Sequence, residues 1–178
     1  AHDDVFNALL QSIVSQQLST KAAATIYGRF SALFEEQTVD PETVLSRDPE
    51  TFRAVGLSRQ KITYIREVAT FFSGEAGNRD WSSLSDDEII QELTRIKGVG
   101  KWTVQMILMF HMGRPDIFPL DDLGIRQSMA ELYPMPEEKR AMDRQMEAIA
   151  ENWRPWRSYA SRYLWRWRDF SGDSRVAK

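Results

Sequence analysis

The sequence predicts an all-α fold, and three observations carry that expectation. Apolar residues recur at helical spacing in nearly every segment, short polar residues stand where helices would start, and no alternating strand pattern of useful length appears. Val5, Leu9, Leu10, Ile13 and Val14 form the first apolar stripe, behind Asp3 and Asp4 at the helix start. Ser19 reads as the cap of a helix from Lys21 to Phe34, with Ala22, Ile26, Phe30 and Leu33 on one side. Asp40-Pro41 and Asp48-Pro49 both have the cap-then-proline form that opens a short helix, and Gly56 ends the second. Ser58 opens a longer helix to Phe72, carrying Ile62, Ile65, Val68, Ala69 and Phe72. The polar stretch from Gly74 to Ser85 is the longest expected loop and the expected boundary between two lobes. Asp86 to Arg95 forms the next helix. A Lys97-Gly98-Val99-Gly100 turn follows, then a helix from Lys101 to about Met112. After a loop from Gly113 to Leu120, helices are expected from Asp121 or Asp122 to Leu132, from Pro136 to Asn152, and from Pro155 to about Phe170. No internal repeat suggests a solenoid.

Composition narrows the function. The 178 residues contain no cysteine, which removes disulfides, thiolate zinc sites and cysteine-ligated iron–sulfur clusters. No apolar run approaches the roughly 20 residues that span a bilayer and no secretory signal is visible, so no membrane role and an intracellular location are expected. His2 and His111, far apart and poor in carboxylate neighbours, predict no metal site. The net charge of -3 argues against a nucleic-acid partner, but its distribution does not: residues 151–178 carry +4 and the remainder -7. In that basic segment arginines alternate with Trp153, Trp156, Tyr159, Tyr163, Trp165 and Trp167, a mixture suited to phosphates and bases. The same pattern would equally arise from a helix with an aromatic core face and an arginine solvent face.

The most informative segment is Leu93-Thr-Arg-Ile-Lys-Gly-Val-Gly-Lys-Trp-Thr-Val104, which has the form helix, Gly-x-Gly turn, helix. Gly98 and Gly100 permit positive torsions and leave backbone amides uncovered at the positive end of the helix that follows. That arrangement seats a phosphate and, with Lys97 and Lys101, grips a nucleic-acid backbone without reading sequence. A nucleotide-binding loop is the competing reading; it lacks a preceding strand and a following Gly-Lys-Ser/Thr.

The hairpin, followed by Phe118-Pro-Leu-Asp-Asp-Leu-Gly-Ile-Arg126, resembles the helix-hairpin-helix glycosylase superfamily in its 3-methyladenine DNA glycosylase II branch. Ile13-Val-Ser-Gln-Gln-Leu-Ser19, Val55-Gly-Leu-Ser-Arg-Gln-Lys61 and Trp153-Arg-Pro-Trp-Arg-Ser-Tyr-Ala160 fit the same branch in the same order. The resemblance implies one glycosylase domain over 1–178 with two helical lobes flanking a DNA-binding cleft. Residues of about 20–120 would form the central lobe, and the N-terminal helix with about 121–178 the second. It implies Asp122 as the catalytic carboxylate, with Asp121 the helix cap. Trp102, Met106, Trp165, Tyr159 and Tyr163 would form the base pocket, and Gln17 or Leu18 the wedge that fills the vacated stack. Lys97, Gly98, Val99, Gly100, Lys101 and Thr103 would meet the DNA backbone. Bifunctional members carry a lysine where this chain has Trp102, so no Schiff-base lyase activity is expected. No cofactor is expected, although the resemblance allows a monovalent cation on the hairpin backbone. The partner would be duplex DNA with a damaged base, met by a monomer.

The reaction so implied is hydrolysis at the anomeric carbon of deoxyribose, where Asp122 would stabilise the oxocarbenium-like transition state and orient the attacking water. No second acid claims the role of protonating the leaving group, which suits a base already cationic from alkylation, and an aromatic pocket suits such a cation. Two rivals remain at this point: a non-catalytic helix-hairpin-helix DNA-binding module, and a glycosylase for another lesion.

Overall fold

The structure is a computed structural model that describes residues 5–34 and 39–176, with side chains as far as residue 170. The described residues contain helices and no strand, as the periodicity requires. In chain order these are α1 (Val5–Ser15), α2 (Thr20–Ser31), α3 (Pro41–Ser46), α4 (Pro49–Ala54), α5 (Arg59–Phe72), α6 (Asp86–Leu93), α7 (Lys101–Met106), α8 (Leu123–Leu132), α9 (Lys139–Glu151) and α10 (Arg157–Val176). Asp3 and Asp4, expected at the start of α1, lie outside the described residues, as does His2. No described helix is long and apolar enough to cross a membrane.

The helix starts follow from side-chain oxygens that accept otherwise unpaired first-turn amides. Ser19 accepts from Ala22, Asp48 from Glu50 and Ser58 from Lys61. Asp40 with Thr43, and Ser85 with Glu88, close reciprocal capping boxes.

The chain divides into two compact units between Ile107 and Leu108. This boundary lies earlier than the one expected near residue 120, and α1 belongs to the first unit rather than the second. The physical reason is burial: Leu9, Leu10, Ile13 and Val14 of α1 are fully covered, and Phe6 packs on Phe72 of α5 with centroids 5.5 Å apart. Each such side chain removed from water stabilises the unit by about 1.5–3 kcal/mol. Phe30 and Phe52, 5.7 Å apart, fill the interior beneath α2 and α4.

The stretch from Gly74 to Ser85 is not a boundary but a packed part of the first unit. It forms two 3₁₀ turns, Glu75–Asn78 and Trp81–Ser83. Trp81 is buried 5.6 Å from Phe72, and its indole N–H donates to the Ala76 carbonyl at 3.1 Å. Sequence periodicity could not see this segment because a single tryptophan, not a stripe, anchors it.

The second unit is built on Ile125, Met129, Met146 and Leu164, from α8, α9 and α10. Phe118 packs edge-on to Trp153 beside this core, and Ser128 Oγ donates to the Leu164 carbonyl at 3.0 Å, tying α8 to α10.

Candidate active site

The second unit gathers its chemistry at the start of α8. Asp122 is the N-cap of that helix, and its Oδ1 accepts the Ile125 amide at 2.9 Å. The cap had been expected at Asp121; the extended torsions of Asp122 align its carboxylate with the third amide of the helix, and Asp121 is left exposed. The same Oδ1 also accepts the indole N–H of Trp165 at 2.8 Å. Two donors on one oxygen, from two helices, fix the plane of the carboxylate, and a hydrogen bond to a charged acceptor is about twice as strong as a neutral one.

Trp165 can approach because residue 124 has no side chain. A Cβ on Gly124 would stand 3.0 Å from Trp165 Cδ1 and 3.2 Å from Asp122 Oδ1. Gly124 was not recognised from the sequence as a site residue, because a glycine inside a helix reads only as a mild helix breaker.

Phe110 is the second residue the sequence reading missed. The helix expected from Lys101 to Met112 stops at Met106 and continues as a π turn, Ile107–His111. Such wider turns are rare and cluster at functional sites. This one presents Phe110, which stacks on Trp165 with centroids 5.8 Å apart at 28° and remains 56% exposed. The signal was available: Met106 to Phe110 is an uninterrupted apolar run, and a helical stripe cannot bury five consecutive residues. Arg162 of α10 lies over Phe110, its guanidinium carbon 4.9 Å from the ring centroid, and its Nη2 donates to the Met109 carbonyl at 2.9 Å.

The loop that delivers the chain to Asp122 is tied to α10. Ser158 Oγ donates to the Arg114 carbonyl and accepts the Ile117 amide, at 2.7 and 2.9 Å. Asp116 accepts Arg157 Nε at 2.7 Å and Arg154 Nη1 at 2.6 Å. Burial alone would push the Asp116 carboxyl up, but the hydrogen bonds and charge of Arg157, with Arg154 beside it, hold it below its ordinary value. Arg154 and Arg157, counted from the sequence among cations suited to phosphates, are therefore engaged inside the unit.

The remaining pocket candidates separate. Tyr159 is exposed and packs against Trp156 at 5.7 Å, with Arg162 at 6.0 Å over its ring. Tyr163 is 73% exposed, and two residues along a helix place it roughly 200° around α10 from Trp165, so it does not belong to the Asp122 cluster. Trp102 and Met106 lie on α7 of the first unit, Trp102 exposed and Met106 partly buried.

The first unit also holds the hairpin between α6 and α7. Gly98 has φ +93° and rests on the Tyr64 ring: a Cβ there would meet Tyr64 Cγ at 2.3 Å. Gly100 is the N-cap of α7 and supplies no side-chain acceptor. Lys97 and Lys101 are exposed, while Val99 is buried with its amide donating to the Ile96 carbonyl at 3.0 Å. Thr103, expected against the DNA backbone, is instead 5% exposed, because a residue two positions beyond Lys101 turns to the other side of α7. Gln17 and Leu18 occupy the turn between α1 and α2, Gln17 exposed with φ +58° and Leu18 partly buried. Among the described residues no group of three His, Asp or Glu could hold a metal ion. A monovalent cation at the hairpin would rest on main-chain carbonyls, and that of Ile96 keeps one lone pair beyond the Val99 amide.

Residues 10–155 match the model of the HhH-GPD superfamily base excision DNA repair proteins. Over 169 residues the chain is 34% identical to the "Putative DNA-3-methyladenine glycosylase YfjP" of Bacillus subtilis (strain 168), a match spanning 91% of this chain and 58% of that one. It is 36% identical over 166 residues to DNA-3-methyladenine glycosylase 1 of Schizosaccharomyces pombe, covering 90% of this chain and 71% of that one. The solved structure of the S. pombe 3-methyladenine DNA glycosylase Mag1 in complex with abasic DNA superposes with a TM-score of 0.73 at 33% identity, covering 90% of this chain and 79% of that one. The chain thus spans a little over half of one curated relative and about seven tenths of another. On the match of its family model and these identities, the chain belongs to the HhH-GPD superfamily of base excision DNA repair proteins.

Proposed function

We propose that this chain is a monofunctional DNA glycosylase that acts as a monomer and hydrolyses the N-glycosidic bond of an alkylated base flipped from duplex DNA. The observation that carries the reading is the Asp122 carboxylate held by Trp165 beside the open Trp165–Phe110 stack. Relatives named DNA-3-methyladenine glycosylases support the substrate class.

In this reading the C1′–N bond breaks first and the base leaves with the bonding electrons, which neutralise its alkylation charge. Positive charge then grows on the sugar, where the fixed carboxylate of Asp122 stabilises it. Water adds to C1′, and its proton passes to Asp122 or solvent. A cationic purine stacks on the ring faces of Phe110 and Trp165, which supply π density without a proton donor. Trp102 stands where bifunctional members place lysine, so no amine is available there for a Schiff base. Lys97 and Lys101, with the uncovered amides around Gly100, hold the DNA backbone. A monovalent cation on the hairpin carbonyls would add charge for a phosphate, and no step of the hydrolysis passes through it.

The test is release of free base from methylated duplex DNA by the wild type and by Asp122→Asn. Asparagine is also a good N-cap, so α8 persists while the charge is lost. Wild type should release methylated purines, and the variant should be on the order of 10²-fold slower with DNA binding spared. The strand should break only after added alkali. A fully active Asp122→Asn would remove Asp122 from the chemistry, and tight binding without release of any base would favour a passive DNA-binding module.

A further inference from the structure

One side chain of α5 holds the turn after α1. The last carbonyls of a helix have no intrahelical partner and must find one elsewhere. At the end of α1 the Gln16 amide serves the Ser12 carbonyl at 3.1 Å and the Leu18 amide serves that of Ser15 at 3.3 Å. The carbonyls of Val14 and Gln16 are served by the Lys61 ammonium, at 2.7 and 2.8 Å. Burial pushes the Lys61 ammonium below its ordinary pKa. Immediately after the clamped carbonyl comes Gln17, the one non-glycine residue with positive φ among the described residues. A left-handed glutamine persists only where its surroundings over-determine it.

We infer that Lys61 is a positioning residue for the DNA wedge: by clamping the Val14 and Gln16 carbonyls it fixes Gln17 in its left-handed conformation and presents Gln17 and Leu18 as a rigid prong. The inference rests on the glycosylase reading and adds to it a residue that never touches the base. A prong ordered in advance loses less conformational freedom when it enters the stack, so more of its contact energy offsets unpairing. The alternative is that Lys61 only joins α5 to α1.

The two roles differ on substrates that need no wedge. Single-turnover release of the same alkylated base is measured from a paired duplex and from single-stranded DNA, where little unstacking is required. Lys61→Met keeps the aliphatic stem and removes the donors; Lys61→Arg keeps donors. Lys61→Met should slow release from the duplex about tenfold or more, with release from the single strand within about twofold of wild type. Lys61→Arg should recover most of the duplex rate. In a Leu18→Ala background Lys61→Met should add little further loss, because both changes disable one device. Equal loss on the two substrates, no loss on either, or full additivity with Leu18→Ala would each overturn the inference. If Lys61→Met does not fold, as judged by its melting transition, Lys61→Leu, which also lacks a donor, is measured on the same pair of substrates and the same selective loss is required of it. A wild type that releases no base from either substrate would instead sink the glycosylase reading, and this inference with it.

Discussion

At Asp122 a single carboxylate oxygen serves as helix cap and as acceptor of the Trp165 indole. The two uses support each other: the cap sets the position of the carboxylate and the indole sets its plane. Trp165→Phe would keep an aromatic face against Phe110 and remove only the N–H donor. A hydrogen bond to a charged group contributes about 1.5–3 kcal/mol, so the melting temperature should fall by several degrees. In the same variant kcat should fall by about 10-fold or more, because the plane of the carboxylate is no longer held. Gly124→Ala separates activity from stability more sharply. Alanine in a helix is favoured over glycine by about 1 kcal/mol, yet its methyl would press on both Trp165 and Asp122, at 3.0 and 3.2 Å. The expected variant melts no lower than wild type and turns over several-fold slower, as thermal melting beside single-turnover base release would reveal. Full activity in Gly124→Ala would mean that the Trp165–Asp122 contact is not needed for the chemistry. Neither prediction was open to sequence reasoning, because spacing along a helix does not say which residue of another helix will arrive above it.

At the scale of elements the hairpin makes the clearest demand. Gly98→Ala would force a side chain into a positive-φ position and into the Tyr64 ring at once, at an expected cost of about 1–3 kcal/mol. DNA affinity should drop on every sequence, measurable by fluorescence anisotropy on two unrelated duplexes. Lys101→Ala should leave the fold intact, weaken binding to both duplexes equally, and flatten the log–log salt dependence by about one unit. Loss on one duplex alone would assign Lys101 to base reading instead. Several helices were legible because they announce themselves twice, once by a capping oxygen and once by an apolar stripe, as Ser58 and Ile62–Phe72 do for α5. The π turn at Ile107–His111 was not, since its hydrogen bonds skip one residue more than the α pattern and only the unbroken apolar run from Met106 to Phe110 marks the change. Trp81 was missed for a related reason: a lone large side chain buries a segment as firmly as a stripe does, and periodicity detects only stripes.

Over the whole molecule the sign of the charge misleads and its placement informs. A chain of net charge -3 would repel DNA if its charges were smeared evenly, yet several of its acidic groups are engaged in caps and ion pairs. Asp40 bonds the Thr43 amide, Glu88 bonds Ser85, Asp143 meets Lys139 and Arg126, and Glu151 meets Arg154. Each carboxyl is held below its ordinary value by those partners, and Asp116 joins them once Arg157 outweighs its burial. A carboxyl depressed in the folded state stabilises that state above its unfolded pKa, and the contribution disappears as pH falls through the folded value. For the aspartates that window opens at 3.8 and extends downward; for the glutamates it opens at 4.5. The melting temperature of the chain should therefore begin to fall below about pH 4.5 on account of these groups. Asp116→Asn tests the largest cluster, because it removes the charge that Arg154 and Arg157 share without removing the side chain. The variant should melt lower than wild type near neutral pH, and the gap should narrow as pH falls below 3.8, where Asp116 of the unfolded chain takes up its proton and that of the folded chain follows at its depressed value. Melting curves of both proteins at pH values on either side of that point decide the matter: a gap that stays constant across the acid range would mean that Asp116 acts through shape alone and that its pairing with Arg157 contributes nothing as charge.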